Sequence, residues 1–328
     1  MSKDVLYVGI DVGCKELWVS IDGFKPRKFR HSREGIRSLN AWSQRKSNHE
    51  QVHFCMEATG VYSISVASQL VERYQAVVSI VNPAQIAAFA KVLMKRSKTD
   101  QIDAKVIRNY AEVQSPPVWM PASRSLRQLT SLVTQADAIR DCLGQWRNRR
   151  HAQDFIPDLP EEVKKTQRSI ERSLTVQLKK IEMAISNLCA QEATLAHQVA
   201  LLCTIPGVAD QSAVKLLAYG QEWLTERSAK ALTAHAGLAP HHYQSGTSVR
   251  GKSRIDKRGN PKLRKTLFMP ALVAVHYNPV LMKFYQRLLK NGKPKKLALV
   301  AAMRKLLLIS RAMLIAQKTF NPKYSPLT

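Results

Sequence analysis

The chain has 328 residues, 45% of them hydrophobic, and carries 51 Lys and Arg against 24 Asp and Glu, a formal net charge of +27. Such a length and apolar content supply two cores and exclude a disordered chain, and the charge points to a polyanionic partner. The five cysteines, Cys14, Cys55, Cys142, Cys189 and Cys203, make no CxxC pair and no zinc-spaced array with histidine, so they read as reduced thiols of a cytoplasmic protein. A strand begins almost at Met1, which leaves no room for a signal peptide, and the late apolar stretches, such as 297–303, are too short to cross a membrane.

Residues 6–10 and 17–21 read as strands with a tight connection at Asp11-Val12-Gly13, and a third strand is expected around Phe29. A helix over 34–45 places Ile36, Leu39 and Trp42 on one face. Then come a buried strand over 52–56, a helix over 63–74, a strand over 76–81 closed by Asn82-Pro83, and a helix over 84–94. Thr99 is the expected cap of a helix over 100–112. A hairpin followed by alternating strands and helices predicts an α/β domain with a mixed sheet over residues 1–120.

Ser115-Pro116-Pro117 and Pro121 break the chain. Two long helices, over 123–153 and 161–202, are expected to form a connector spanning 121–202. From Leu174 to Leu202 the second keeps a three-four apolar spacing interrupted at Glu192, a coiled-coil seam of about four heptads. Periodicity alone leaves open a hairpin within the chain or a dimerisation arm. Ile205-Pro206-Gly207-Val208 and a helix over 212–218 have the shape of a helix-hairpin-helix, whose turn offers backbone N–H groups to phosphate. A basic loop over 241–260 and helices over 262–275, 280–289 and 295–317 complete a basic, mostly helical domain over 203–328. Residues 241–328 hold 19 Lys and Arg and one acid, Asp256.

Four acids stand out against this positive background. Asp11 and Glu57 each follow an apolar strand, and Asp100 and Asp103 share one helix face. Carboxylates from separate elements that converge need a hard divalent cation, the arrangement of metal-assisted phosphoryl transfer. Four solvated surface acids would account tolerably for Asp103 alone but badly for Asp11, which directly follows an apolar strand, so the metal cage is the favoured reading. The Gly9-Ile10-Asp11-Val12-Gly13 run also opens sugar kinases and actin-like ATPases. Those need a second glycine-rich phosphate loop, and none follows residue 120.

In the basic loop, Ser245 precedes Gly246 among Arg250, Lys252, Arg254, Lys257 and Arg258, and Lys262, Arg264 and Lys265 follow at a helix start. The cations read as phosphate contacts. A serine attacks phosphate when its proton is removed and the charge is neutralised. From these residues alone, Ser-Gly reads more simply as an ordinary DNA-binding loop. His241, His242 and His276 read as phosphate contacts or surface residues rather than catalytic groups.

Several motifs in order resemble one family. They are Gly9-Ile10-Asp11-Val12-Gly13, Met56-Glu57-Ala58-Thr59-Gly60, Lys98-Thr99-Asp100-Gln101-Ile102-Asp103-Ala104 and Ile205-Pro206-Gly207-Val208. Ala236-Gly237-Leu238-Ala239-Pro240 then runs into Gln244-Ser245-Gly246, and Gly259-Asn260 leads into Leu263-Arg264. Over nearly its whole length the chain resembles the bridge-RNA-guided insertion-sequence transposases of the IS-one-ten family. The resemblance implies an RNase H-like, RuvC-like domain with Asp11, Glu57, Asp100 and Asp103 as a DEDD set binding Mg2+. It implies a C-terminal transposase domain in which Ser245 forms a covalent phosphoserine link to DNA, with Ser248 as the fallback. The implied partners are double-stranded target and donor DNA, a structured bridge RNA, and further copies of the chain as dimers pairing into a tetramer. The expected function is RNA-guided site-specific recombination in the bacterial cytoplasm, at the nucleoid. The alternatives are a metal-dependent junction nuclease using only the carboxylates and a non-catalytic nucleic-acid-binding protein.

Overall fold

Apolar runs that can be buried on both sides build the centre of a sheet. In the computed structural model two of them, β1 (Val5–Val12) and β4 (Gln51–Glu57), lie side by side in parallel. The structure describes residues 5–48, 51–93, 99–241, 244–245, 249–250, 254–256 and 258–323. The chain divides into two compact units, Met1–Pro121 and Ala122–Thr328.

In the first unit β1 is followed by β2 (Glu16–Ser20), β3 (Arg27–Arg30), α1 (Arg33–Lys46), β4, α2 (Val61–Tyr74), β5 (Val77–Val81), α3 (Pro83–Val92) and α4 (Asp100–Gln114). The sheet order is β3-β2-β1-β4-β5, with antiparallel pairing in the first three strands and parallel pairing from β1 to β5. The expected mixed sheet is present. Side-chain alternation splits its two faces. Val8, Ile10, Phe54 and Met56 pack under α1 and α2. Cys55 packs on the other side with Ile86 of α3 and Val106, Ile107 and Tyr110 of α4. Burial pushes the Cys55 thiol up to about 12, so it stays protonated. The side chain of Asn82 caps α3, whose first residue is Pro83. The chain leaving α4 returns to the sheet through Ser79, whose hydroxyl donates to the Pro117 carbonyl at 2.8 Å and lies 2.7 Å from Nε2 of buried His53.

The second unit holds α5 (Arg124–Gln153), α6 (Glu161–Gln191), α7 (Ala193–Cys203), α8 (Asp210–Gly220), a 3-10 turn (Gln221–Leu224) and α9 (Ala229–His235). Four two-residue strands follow, β6 (Pro240–His241), β7 (Gln244–Ser245), β8 (Val249–Arg250) and β9 (Arg254–Ile255), and then α10 (Pro261–Tyr277), α11 (Pro279–Lys290) and α12 (Lys295–Ala316). The expected single helix over 161–202 is two helices. Glu192 is extended (φ −102°, ψ 97°) at the break. The break frees α7 to turn Leu195, Leu201 and Leu202 inward, and Leu195 and Leu202 join the core with α8, α10 and α12. The three-four spacing of α6 is met within the chain by α5, with Arg140 and Glu182, and Arg150 and Glu171, paired across the hairpin at 2.7 Å. Leu129 and Val133 of α5 lie in the same core as α10 and α12. At Asn278, α10 and α11 bend through 90°. The buried Asn278 side chain accepts the first free N–H groups of α11, from Val280 and Leu281. Among the described residues no single helix is long and apolar enough to cross a membrane.

Asp137 joins α5 to α8. Its carboxylate accepts from Lys215 at 2.6 Å, and from the Tyr219 hydroxyl and Arg140 at 2.8 Å each. Burial raises its pKa, but these three donors outweigh burial and hold it below the usual range. Asp137→Asn would leave Lys215 partly buried without its charge partner and remove one of the two carboxylates that hold Arg140. The expected loss is on the order of 3 kcal/mol in urea unfolding, and a loss under about 0.5 kcal/mol, typical of a surface site, would show the cluster to be peripheral.

Candidate active site

Asp11 and Glu57 are neighbours by register. Ile10 sits opposite Met56 in the parallel pair, so each acid is the next residue on its strand, near the carboxyl end of β1 or β4. Alternation puts both on the face bearing Gly9 and Cys55, which is the face under α4. Contact is closest at Gly9. A Cβ there would overlap the Ala104 carbonyl oxygen and stand 2.5 Å from the Arg108 nitrogen. The glycine is thus needed for helix-on-strand approach, which accounts for it without a phosphate loop.

The direction of α4 follows from two contacts. The Tyr7 hydroxyl, early in β1, donates to Ser115 just past the end of α4 at 3.2 Å, whereas Gly9 meets Ala104 and Arg108. The helix therefore runs antiparallel to β1, and its first turn lies toward Asp11. That turn carries Asp100 and Asp103, and the Thr99 hydroxyl caps it by accepting from the Ile102 N–H at 3.3 Å. Asp11, Glu57 and Asp103 are half-buried and Asp100 is exposed. Arg108 fastens the helix by pairing with Asp22 at 3.0 Å and Glu112 at 3.3 Å.

Three elements thus bring the four predicted acids to one end of one face. Their oxygen donors suit a hard divalent cation in type. Among the described residues, however, no three His, Cys, Asp or Glu side chains are gathered closely enough to hold an ion. Carboxylates repel one another, and drawing them to one point requires a cation's charge. Asp100 and Asp103 also have a local role, since acids in a first turn favour the positive end of the helix dipole.

Two further residues stand at this end of the sheet. β3 is parallel to β1 by way of two antiparallel pairings, and His31 follows it. Nδ1 of His31 donates to the Gly13 carbonyl at 2.8 Å, and its ring meets Tyr62 edge-on at 6.0 Å. A lone His after a strand and a Tyr five residues beyond Glu57 carry no sequence signal of their own.

In the second unit, Ser245 lies in a nested hairpin. β6 pairs with β9 and, inside them, β7 pairs with β8, with Ser245 opposite Val249. His242, Ser248, Lys252 and Lys257 lie outside the described residues, as do the side chains of His241, Ser245, Arg250 and Arg254. The other predicted nucleic-acid contacts have intramolecular partners. Arg258 forks onto Asp256, at 3.0 Å through Nε and 2.8 Å through Nη2. Arg264 donates to the Ala236 carbonyl at 3.2 Å. Lys265 lies 3.3 Å from Asp141, and Lys262 sits 5.5 Å from the Tyr219 ring centre. Asn260 caps α10 and donates to the Tyr219 carbonyl, which ties the base of the hairpin to α8. The Pro206-Gly207 turn lies against α10. Gly207 has φ +103°, and a Cβ on it would stand 2.8 Å from the Ala274 nitrogen, so the turn serves packing.

Paired acids at the carboxyl ends of central strands, in a chain with a strongly basic helical unit, define an enzyme that works on nucleic-acid strands. Residues 8–153 match the model of the DEDD transposases of IS110 type, and residues 199–286 match that of the transposase IS116/IS110/IS902 family. The pilin gene-inverting protein of Moraxella bovis is 33% identical over 328 residues, covering 98% of this chain and 99% of that protein. Its counterpart in Moraxella lacunata matches at 33% over the same length. The insertion element IS110 uncharacterized 43.6 kDa protein of Streptomyces coelicolor is 31% identical over 114 residues, 35% of this chain and 28% of that protein. The chain belongs to the IS110 family of transposases. It is therefore a DNA recombination enzyme with DNA as its substrate.

Gly9→Ala should force α4 away from β1, costing about 1–3 kcal/mol and reducing DNA recombination. Gly144→Ala, in open space on α5, should leave activity intact and raise stability by about 0.5–1 kcal/mol. Equal unfolding curves for the Gly9 variant and the native chain would rule out the close approach.

Proposed function

We propose that the protein is the RNA-guided, site-specific recombinase of an insertion sequence. DNA strands are cut and rejoined through a phosphoserine at Ser245, with Mg2+ held by Asp11, Glu57, Asp100 and Asp103. The observation that carries the reading is the convergence of β1, β4 and the first turn of α4 on one sheet end, in a chain of this family. The sheet order β3-β2-β1-β4-β5 supports an RNase H-like, RuvC-like first domain over residues 1–120. A helical connector over 121–202 and a transposase domain over 203–328 complete the proposed division. The active protein is a dimer pairing into a tetramer, with a structured bridge RNA selecting target and donor DNA. Gene inversion, which the Moraxella relatives carry in their name, requires the same cutting and rejoining.

The Ser245 hydroxyl attacks the scissile phosphorus. An Oγ–P bond forms as the bond from phosphorus to the leaving deoxyribose oxygen breaks; the serine proton passes to a base and the leaving oxygen takes up a proton. The phosphoester conserves bond energy, so a hydroxyl of the exchanged strand reverses the step and rejoins DNA without ATP. Bound Mg2+ supplies positive charge to the phosphate and lowers the cost of ionising its attacker. The carboxylates hold that charge in place, and the lysines and arginines of the basic unit position the backbone.

The test is a denaturing gel of full-length protein, expressed with its native flanking DNA and incubated with labelled donor and target duplexes. Ser245→Ala should abolish the protein–DNA adduct while DNA binding persists, and Asp11→Ala or Glu57→Ala should reduce strand cutting by about 100-fold or more. An adduct that survives Ser245→Ala eliminates this serine. Metal-dependent cutting without any adduct would select the junction nuclease that uses only the acids.

A further inference from the structure

The ring of Phe284 on α11 is shared by two cations. Cζ of Arg287 lies 5.5 Å from the ring centre, and Nζ of Lys305, on α12, lies 4.8 Å from it. An aromatic face attracts a cation, but two cations on one ring also repel each other. Burial first, and Arg287 second, hold the Lys305 ammonium below the ordinary lysine range. A carboxylate would be the usual remedy. Residues 257–328 contain no Asp or Glu, and neither cation has a carboxylate partner among the described residues. Lys283, Arg287 and Lys290 are exposed at i, i+4 and i+7, a single basic stripe along α11. Its length of about 10 Å is enough to meet successive phosphates on one strand.

Fold stability alone would not select this crowding, and a bound anion relieves it. We propose that Arg287 and Lys305, held against Phe284, form a phosphate-binding site for the backbone of double-stranded DNA, extended along α11 by Lys283 and Lys290. Most of this cluster lies beyond the segment that matches the transposase family, which ends at residue 286. The choice of DNA as the polyanion rests on the recombinase reading above. The contact is independent of sequence, because phosphate contacts position a duplex rather than read it.

The experiment is fluorescence anisotropy of the full-length protein, expressed with its native flanking DNA so that any RNA it binds is retained, with a labelled duplex across a salt series. Arg287→Gln with Lys305→Gln should weaken binding by about tenfold or more and make the slope of log K against log salt shallower by about 1.8, roughly 0.9 for each phosphate that is no longer neutralised. Arg287→Lys keeps the charge and should keep the slope. Lys25→Gln, at an exposed position in the first unit, should change neither. If the double variant melts early, Lys283→Gln with Lys290→Gln gives the same reading from exposed positions. An unchanged slope with tight native binding overturns the phosphate site alone. Failure of the native protein to bind any duplex overturns the recombinase reading with it. A loss confined to an RNA hairpin, with duplex binding intact, overturns the assignment to DNA.

Discussion

The approach of α4 to β1 at Gly9 decides where the acids of the first unit stand. A helix packed through side chains alone would ride farther from the sheet. Here the Ala104 carbonyl and the Arg108 backbone occupy the space a Cβ would need, and interiors packed this densely leave little room for sliding. Ser115 at one end and Gly9 in the middle fix the helix direction. With direction and depth set, Asp100 and Asp103 are placed at the end of the sheet where β1 and β4 carry Asp11 and Glu57. Four residues spread over 93 positions of sequence are brought to the same end of the sheet through one backbone contact.

Charge in the second unit is arranged on a different principle. That unit has 34 Lys and Arg against 13 Asp and Glu, whereas the first has 17 against 11. Most of the excess therefore belongs to the helical unit. Several of its acids are occupied internally: Asp137 by Lys215 and Arg140, Glu182 by Arg140, Glu171 by Arg150 and Asp256 by Arg258. These pairs fasten α5 to α6 and α8, and they stiffen the base of the Ser245 hairpin. Exposed cations such as Lys283 and Lys290 lie in a stretch of sequence without acids, which is how a protein keeps affinity for a polyanion without collapsing onto its own carboxylates.

The sheet was legible because its central strands are near-continuous apolar runs, and Thr99, Asn82 and the prolines marked helix starts correctly. The placement of Asp11 and Glu57 at strand ends, and of Asp100 and Asp103 in one turn, was legible for the same reason. Tertiary effects were not. Glu192 looked like a tolerated interruption of a seam, but it marks a break, since the core beside α8 competes for Leu195 and Leu202. The two short ladders around Ser245 have no periodicity to detect, and α9 is only seven residues long. Nor does a basic composition say which cations are free. Arg258 and Arg264 already have partners within the folded chain, Asp256 and a helix-end carbonyl, and no sequence pattern announces those pairings.

The contrast between Arg264 and Lys305 shows why cations that the fold does not explain are the informative ones. Arg264 has a fixed partner in the Ala236 carbonyl and a place in the packing around Gly237, so the fold itself accounts for it. Lys305 loses solvation, faces Arg287 and gains only an aromatic ring in return. A cation–π contact is worth about 0.5–2 kcal/mol, which a neutral apolar side chain at that position would match through burial alone. The charge is thus costly to the folded monomer and useful only when an anion arrives. Binding energy to a phosphate backbone is largely counterion release and carries no sequence information. A surface of this kind suits an enzyme that must grip any duplex and leave the choice of site to other contacts.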